Sequence, residues 1–213
     1  MSGKIRVVLA DDHAVVCTGY RRLLELEDDI EVLADFNDSD AVCRWFVDNS
    51  ADVLVLDLSM PGRGGLETLA RVKARQADLR VLIFSMHDSA AMVTQALRAG
   101  ADGYLTKSSS PDSLIDAVRQ VARGERPLSP DVAGAMAAAG AGQTSHLALS
   151  PREFEIFRLL AKGRAVEEIA ARLFLSAKTV ANYQTVIRQK TGLASTLDMY
   201  RHASEHGLLD GSE

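Results

Sequence analysis

The sequence predicts an α/β chain: a doubly wound parallel sheet of five βα units in residues 1–124, then an all-α domain of four helices containing a helix-turn-helix. Three observations predict it. Segments that read as strands alternate five times with segments of helical spacing, which implies parallel strands joined by crossover helices. The run Val53-Leu-Val-Leu56 is apolar without a break, as a strand covered on both faces must be. From Leu149 onward, cap signatures and glycine stops divide the chain into short helices with no strand between them.

Taken in order, Lys4 to Ala10 reads as a strand that ends in Asp11-Asp12. Val15, Tyr20, Leu23 and Leu24 give a helix from Ala14 to Leu26. Ile30 to Ala34 is a short strand, and Asp38 or Ser39 caps the helix that carries Val42, Trp45 and Phe46. The central strand, within 51–62, ends in Asp57 and opens into a loop marked by Pro61-Gly62 and Gly64-Gly65. Leu66, Leu69 and Val72 form the next helix. Arg80 to Phe84 is a strand ending at Ser85, and its helix (Met92, Ala96, Leu97) closes at Gly100. Gly103 to Thr106 is the fifth strand, ending at Lys107. Ser110-Pro111 supplies a cap and an N1 proline for a helix that runs to Gly124.

Residues 125–147 change character, with Pro127, Pro130 and an Ala/Gly tract at 133–142. They read as a linker, helical in part at Asp131–Ala139; as flexible coil such a segment spans roughly 25–30 Å. In residues 148–213, Ser150-Pro-Arg-Glu153 is a capping box with proline at N1. Glu167 to Leu173 is a second helix, Ser176 caps a third from Ala177 to Thr191, and Ser195 to Asp198 is a capping box for a fourth. A tight turn joins the second and third helices.

Bulk properties narrow the classes. The chain has 213 residues, 47% hydrophobic and 25% charged, enough to bury a sizeable core in one or two domains. No run of 18 apolar residues occurs, so no membrane span is expected, and Met1 to Lys4 lead straight into a strand, so no export signal is expected. Cys17 and Cys43 then read as free thiols, too few for a metal cage. The net charge of −5 is uneven: residues 1–146 carry −6 and residues 147–213 carry +1. No acidic residue falls between Glu168 and Asp198, whereas Arg172, Lys178, Arg188 and Lys190 do. That window has the charge of a nucleic-acid contact even though the whole chain does not.

Four of the five strands end in a polar residue: Asp11-Asp12, Asp57, Ser85 and Lys107. Carboxyl ends of parallel strands share one edge of the sheet, where open α/β folds place their ligands. Three carboxylates and a nearby backbone carbonyl suit Mg2+, and a lysine and a hydroxyl opposite would hold the remaining oxygens of a phosphoryl group. One carboxylate could then act as the nucleophile.

This pattern over residues 4–124 resembles the flavodoxin-like receiver domain of bacterial two-component response regulators. The resemblance implies that Asp57 becomes phosphorylated, that Asp12, Asp57 and the carbonyl of Ser59 ligate Mg2+, and that Asp11 assists through water. It also implies that Ser85 is a switch hydroxyl, Tyr104 a switch aromatic that rotates into space vacated by Ser85, and Lys107 the partner of the phosphoryl group. Ser108 departs from the proline that many receivers carry after the lysine.

Residues 148–209 resemble the four-helix DNA-binding domain of the FixJ/NarL/LuxR type. By that resemblance, Ala177 to Thr191 is the recognition helix in the major groove. Val180, Tyr183 and Ile187 share its core face by spacing, which leaves Ala181, Asn182 and Thr185 outward as base-reading positions. Lys178, Thr179, Arg188 and Lys190 would meet phosphates. Two departures stand out: Tyr183 where the family commonly has histidine, and Ala165-Val166 where it commonly has a polar, helix-capping pair.

The expected function is a cytoplasmic, phosphorylation-controlled DNA-binding regulator with no membrane association. Its partners would be a sensor histidine kinase, double-stranded promoter DNA and a second copy of itself on activation, with the helix at Ser195–Glu205 as a dimer surface. It would turn over no metabolite; the only chemistry expected is self-catalysed phosphorylation and dephosphorylation at Asp57. One alternative is a DNA-binding regulator whose receiver is a phosphorylation-independent interaction module. Another, a metal-dependent phosphohydrolase, lacks the acid/base carboxylate two residues after Asp57, where Ser59 stands.

Overall fold

The structure is a computed structural model that describes residues 3–138 and 145–209. Five parallel strands, β1 (Ile5–Ala10), β2 (Ile30–Phe36), β3 (Val53–Leu56), β4 (Arg80–Ser85) and β5 (Gly103–Thr106), form one sheet in the order β2-β1-β3-β4-β5. The helices between and after them are α1 (Ala14–Glu25), α2 (Ser39–Asp48), α3 (Gly65–Arg75), α4 (Ala90–Arg98) and α5 (Pro111–Ala122). The alternation in the sequence is thus the alternation in space.

The continuous apolar runs serve two cores at once, because successive side chains of a strand point to opposite faces. Val8, Ala10, Leu54, Leu56, Val81 and Ile83 face one side, with α2, α3 and α4. Val7, Leu9, Val53, Val55, Leu82 and Phe84 face the other, with α1 and α5. Leu54, Leu56, Leu82 and Ile83 are fully buried, so truncating any of them to alanine should cost about 2–5 kcal/mol. Caps end the helices much as their residues predict: Asp38 accepts the amide of Ala41 at 2.7 Å, Ser110 that of Ser113 at 3.3 Å, and Gly100 turns the chain at φ +106°.

The segment after α5 does not hang free. Tyr104 N–H donates to the Pro127 carbonyl at 2.9 Å and Ser129 N–H to the Tyr104 carbonyl at 3.0 Å, so the chain runs briefly alongside β5. It then forms α6 (Pro130–Ala138), which packs on α4 and β5. Asp131 fastens it by accepting the Thr106 hydroxyl at 2.6 Å. The flexible-coil expectation for the linker is corrected here for residues 125–138, since these polar and apolar contacts hold them to the sheet edge. Residues 139–144 of the expected linker lie outside the described residues.

A 3-10 turn (Ser145–Ala148) leads into α7 (Pro151–Ala161), α8 (Val166–Arg172), α9 (Ala177–Thr191) and α10 (Thr196–Glu205). Ser150 and Glu153 form the expected capping box, as do Ser195 and Asp198, and Gly192 ends α9 with φ +73°. Ala165 has no side chain to cap α8; the Glu168 carboxylate still accepts its amide at 3.1 Å, which keeps half of a capping box. Phe154, Ile156, Phe157, Ile169, Val180, Ile187 and Met199 make the core of this domain, continuous with the α2–α4 side of the sheet domain.

Candidate functional site: an acidic pocket under a helical roof

Every residue predicted at the strand ends converges on the carboxyl edge of the sheet. Asp57 follows β3 and is almost fully buried, with its amide donating to the Ala10 carbonyl at 2.9 Å. Lys107, after β5, places Nζ 2.7 Å from Asp57 Oδ2 and 2.7 Å from Asp11 Oδ2. The other oxygen of Asp57 accepts the amide of Ser59 at 3.1 Å. Burial works to lower the Lys107 pKa, but the Asp57 charge and the hydrogen bonds that Lys107 donates to Asp11 and Asp57 outweigh it, so the ammonium is held above its usual range. Lys107 thus stays cationic between two carboxylates.

The loop after Asp57 depends on glycine. A Cβ on Gly65 would lie 2.4 Å from Leu58 Cα, inside contact distance of backbone that cannot give way. The absence of a side chain there lets α3 begin directly beneath the Asp57 loop.

Ser85 is fully buried at the end of β4, and its Oγ lies 3.5 Å from the amide of His87. Tyr104 is also fully buried and donates its hydroxyl to the His87 carbonyl at 2.6 Å. Burial pushes its phenol pKa upward. The ring occupies the interior, held there by packing and by the β4–α4 loop. His87, which no sequence pattern marked, touches both switch candidates and sets Nε2 3.5 Å from Ser59 Oγ.

Ligand atoms of Asp11, Asp12, His13 and Asp57 lie within 4.8 Å of one another. The Asp12 Oδ1 atom is buried and accepts no hydrogen bond; His13 Nδ1 is 2.8 Å away but outside hydrogen-bond geometry. A buried carboxylate oxygen left in this state is costly unless a cation completes it. Hard oxygen donors grouped in this way fit Mg2+.

The pocket has a roof that the sequence did not announce. A cleft of about 570 Å3 opens between Asp12, Asp57 and Lys107 on one side and Glu155 and Arg158 of α7, with Lys162 just after it, on the other. Arg152 clamps the two domains. Its Nε pairs with Glu67 of α3 at 3.1 Å, Nη1 donates to the Arg63 carbonyl, and Nη2 donates to the Leu173 carbonyl at 2.8 Å. Glu155 presses against Gly64, where a Cβ would meet its Oε1 at 1.7 Å and φ is +87°. Burial pushes the Glu155 carboxyl up to about 8, against the lowering pull of Arg152. The sequence pattern accounted for Arg152 only as part of a capped first turn.

The recognition-helix candidates lie elsewhere. Ala181, Asn182, Thr185, Lys178 and Arg188 are exposed on α9, and Thr179 is half-buried. Val180 and Ile187 are fully buried and Tyr183 packs partly against them, as the spacing predicts. Lys190 is engaged: its Nζ meets both oxygens of Glu153 at 2.8 and 2.6 Å, bracing α9 against α7. Among the described residues no helix is long and apolar enough to cross a membrane.

Comparison with known proteins places these features. Residues 7–119 match the response regulator receiver domain, and residues 147–203 match the luxR family of bacterial regulatory proteins. The chain is 39% identical over 207 residues to the transcriptional regulatory protein UhpA of Salmonella typhimurium, covering 97% of this chain and 99% of the relative. It is 37% identical over 216 residues to the oxygen regulatory protein NreC of Staphylococcus carnosus, covering 97% and 100%. Among solved structures, RcsB from Salmonella enterica serovar Typhimurium, bound to the promoter P1flhDC in the presence of the phosphomimetic BeF3-, superposes with a TM-score of 0.70. That match has 29% identity and covers 95% of this chain and 100% of RcsB. A five-stranded receiver carrying a luxR-type helix-turn-helix over its whole length, this chain belongs to the NarL/FixJ family of two-component response regulators.

Proposed function

We propose that this protein is a phosphorylation-controlled regulator of transcription whose receiver accepts a phosphoryl group on Asp57 and whose α9 reads promoter DNA. The observation that carries the proposal is the buried carboxylate of Asp57, held 2.7 Å from Lys107 beside the unpartnered Asp12 oxygen. An Asp57 oxygen attacks the donor phosphorus as the bond from phosphorus to the donor breaks, releasing the kinase's histidine nitrogen (or acetate from acetyl phosphate), and Lys107 remains to pair with the oxygens of the transferred group. Ser85, deep at the end of β4, offers its hydroxyl to another of those oxygens. Mg2+, held by Asp12, Asp57 and the Ser59 carbonyl with Asp11 assisting through water, would neutralise charge on the phosphoryl group. The same groups support self-catalysed dephosphorylation by water. The phosphodonor would be a sensor histidine kinase.

On DNA, Asn182 is positioned to bond adenine through N6 and N7, and Ala181 or Thr185 to meet a thymine methyl. Lys178, Thr179 and Arg188 supply phosphate contacts, and Lys190 adds another if it leaves Glu153. A dimer binds two half-sites about one helical turn apart. Leu197 and Tyr200, which are 56% and 49% exposed on α10, support that helix as the dimer surface. The boundaries we infer are a receiver at 1–124, a connecting segment at 125–147 and a DNA-binding domain at 148–213.

Intact-mass spectrometry after incubation with Mg2+ and acetyl phosphate tests this. One added phosphoryl group in the unaltered protein, absent from Asp57→Ala and absent without Mg2+, is the expected result. An unaltered protein that takes up neither phosphoryl nor beryllofluoride would favour a receiver that acts only as an interaction module.

A further inference from the structure

Among the described residues, a second group of side chains has metal-ligand chemistry, and it lies apart from the phosphoacceptor pocket. It consists of His146, His202 and His206, three of the five histidines in the chain. His146 sits on the 3-10 turn that enters the DNA-binding domain. His202 lies near the end of α10 and His206 caps that helix, so the two are one helical turn apart and share a face.

The rings are packed against each other. His146 Nδ1 is 3.0 Å from His202 Nε2, the His202 and His206 rings stack with centroids 4.2 Å apart, and His146 meets His206 edge-on at 5.1 Å. One nitrogen from each ring falls within 4.8 Å of the others. His206 donates Nδ1–H to the His202 carbonyl at 2.8 Å, which fixes its tautomer and leaves Nε2 with a lone pair. His146 is fully buried, and its Nε2 has no hydrogen-bond partner. Three imidazoles gathered at a domain junction, one with an unpaired buried nitrogen, are a poor way to fill space that leucine or phenylalanine would fill without a polar penalty.

We propose that His146, His202 and His206 form a binding site for a divalent transition metal that prefers imidazole, Zn2+ foremost, joining the entry turn of the DNA-binding domain to its last helix. Zn2+ takes imidazole nitrogens at about 2.0–2.1 Å, which in a tetrahedron sets them about 3.3 Å apart. The three nitrogens already lie within 4.8 Å of one another, with one pair at 3.0 Å, so closure calls for ring movements of that order. Arg98 opposes a cation beside His146, and Glu205 favours one beside His202. His202 and His206 are half-buried, so water can reach the group to complete the coordination. Hard Mg2+ is not expected here, because the site offers no oxygen cluster.

The position gives the metal a consequence. The His146 carbonyl accepts Gln95 Nε2 at 2.8 Å, and Gln95 is buried on α4 of the receiver. A metal that fixes His146 also fixes this link. By reciprocity, undocking of the receiver should lower metal affinity.

The test is a Co2+ titration of the full chain in excess Mg2+, which occupies the acidic pocket. The expected result is one equivalent of Co2+ giving intense visible absorption of tetrahedral type, bleached by Zn2+. Affinity should fall more than about tenfold in His206→Gln and remain unchanged in His13→Gln, which alters only the acidic pocket. Zn2+ should raise the melting temperature of the unaltered chain and not that of His206→Gln. Metal-free melting of His206→Gln, a half-exposed position, checks that the variant folds; His202→Gln serves as the second variant. Absence of the absorption in the unaltered chain overturns the proposal. So does absorption that survives His206→Gln or disappears with His13→Gln.

Discussion

The two working surfaces of this molecule are in opposite states. The Asp57 pocket lies beneath α7, with Arg158 and Glu155 across a cleft from it. The face of α9 proposed to read DNA carries Ala181, Asn182 and Thr185 into solvent, and the receiver packs chiefly against α7 rather than α9. The receiver therefore holds the DNA-binding domain by its back. In this arrangement docking governs access to the phosphoacceptor more than access to the bases.

The sharpest way to break that comparison is to remove the clamp. Arg152→Ala loses the Glu67 ion pair and the bond to the Arg63 carbonyl, both across the domain junction, and should weaken docking by about 3 kcal/mol. Small-angle scattering should show an extended chain, and acetyl phosphate should label Asp57 faster. Glu67→Gln, which touches only the receiver side of the clamp, should act in the same direction with a smaller effect. Since α9 is already uncovered, non-specific DNA affinity of the unphosphorylated Arg152→Ala monomer should change little. A large rise would mean that docking restrains the recognition helix after all.

The next prediction sharpens the roof itself. In the docked state burial pushes the Glu155 carboxyl up to about 8, from an ordinary value of 4.5 when the domains part. A raised acid pKa stabilises the docked state fully below the lower value and loses that contribution as pH rises through the higher one. Docking should thus weaken steadily from pH 4.5 to 8, with phosphorylation by acetyl phosphate accelerating over the same window. Glu155→Gln, a permanent mimic of the protonated acid, should flatten that dependence. The groups facing Glu155 are Arg152, Glu67 and Arg158, and an unaltered pH dependence in Glu155→Gln would show that Glu155 is not the titrating group.

How far each surface could be read from sequence follows the same division. Asp57, Asp11, Ser85 and Lys107 were legible because strand ends of a parallel sheet must share an edge, and each strand declared itself by an apolar run. The outward set on α9 was legible because Val180 and Ile187 fix the phase of the helix. The roof was not. Arg152 lies one residue after an N1 proline, where a polar side chain is expected in any helix. Glu155 stands between Phe154 and Ile156 with nothing local to say that it meets Gly64, 91 positions earlier. Such contacts depend on how two finished domains meet, and helical periodicity carries no information about that. The packing of α6 on β5 was illegible for a similar reason: Asp131 reads as a first-turn acid, and its bond to Thr106 exists only in the folded sheet.

A smaller effect separates two lysines of the DNA-binding domain. Lys178→Ala should reduce the slope of log affinity against log salt by about 1, as the loss of one phosphate contact does. Lys190→Ala should leave that slope unchanged and lower thermal stability instead, by about 1 kcal/mol, because its ammonium is paired with Glu153. Equal slopes for the two variants would show that Lys190 exchanges Glu153 for phosphate on DNA.

The smallest predicted effect concerns Tyr104. Its ring is inside already, so the question is what its hydroxyl does there. Tyr104→Phe keeps the packed volume and removes the hydroxyl's bonds to the His87 carbonyl and the Ser85 side chain, at a cost of about 1 kcal/mol and a few degrees of melting temperature. Phosphorylation at Asp57 and the dimerisation that follows should persist in this variant, since the Ser85 hydroxyl and Lys107 are retained. Tyr104→Ala empties the volume between β4, β5 and α4 and should lose phosphorylation-driven dimerisation while still accepting the phosphoryl group. If Tyr104→Phe instead dimerises without any phosphodonor, the hydroxyl's bonds are the restraint that holds the β4–α4 loop in its inactive form. In that case the switch lies in the hydroxyl and its partners, not in rotation of the ring.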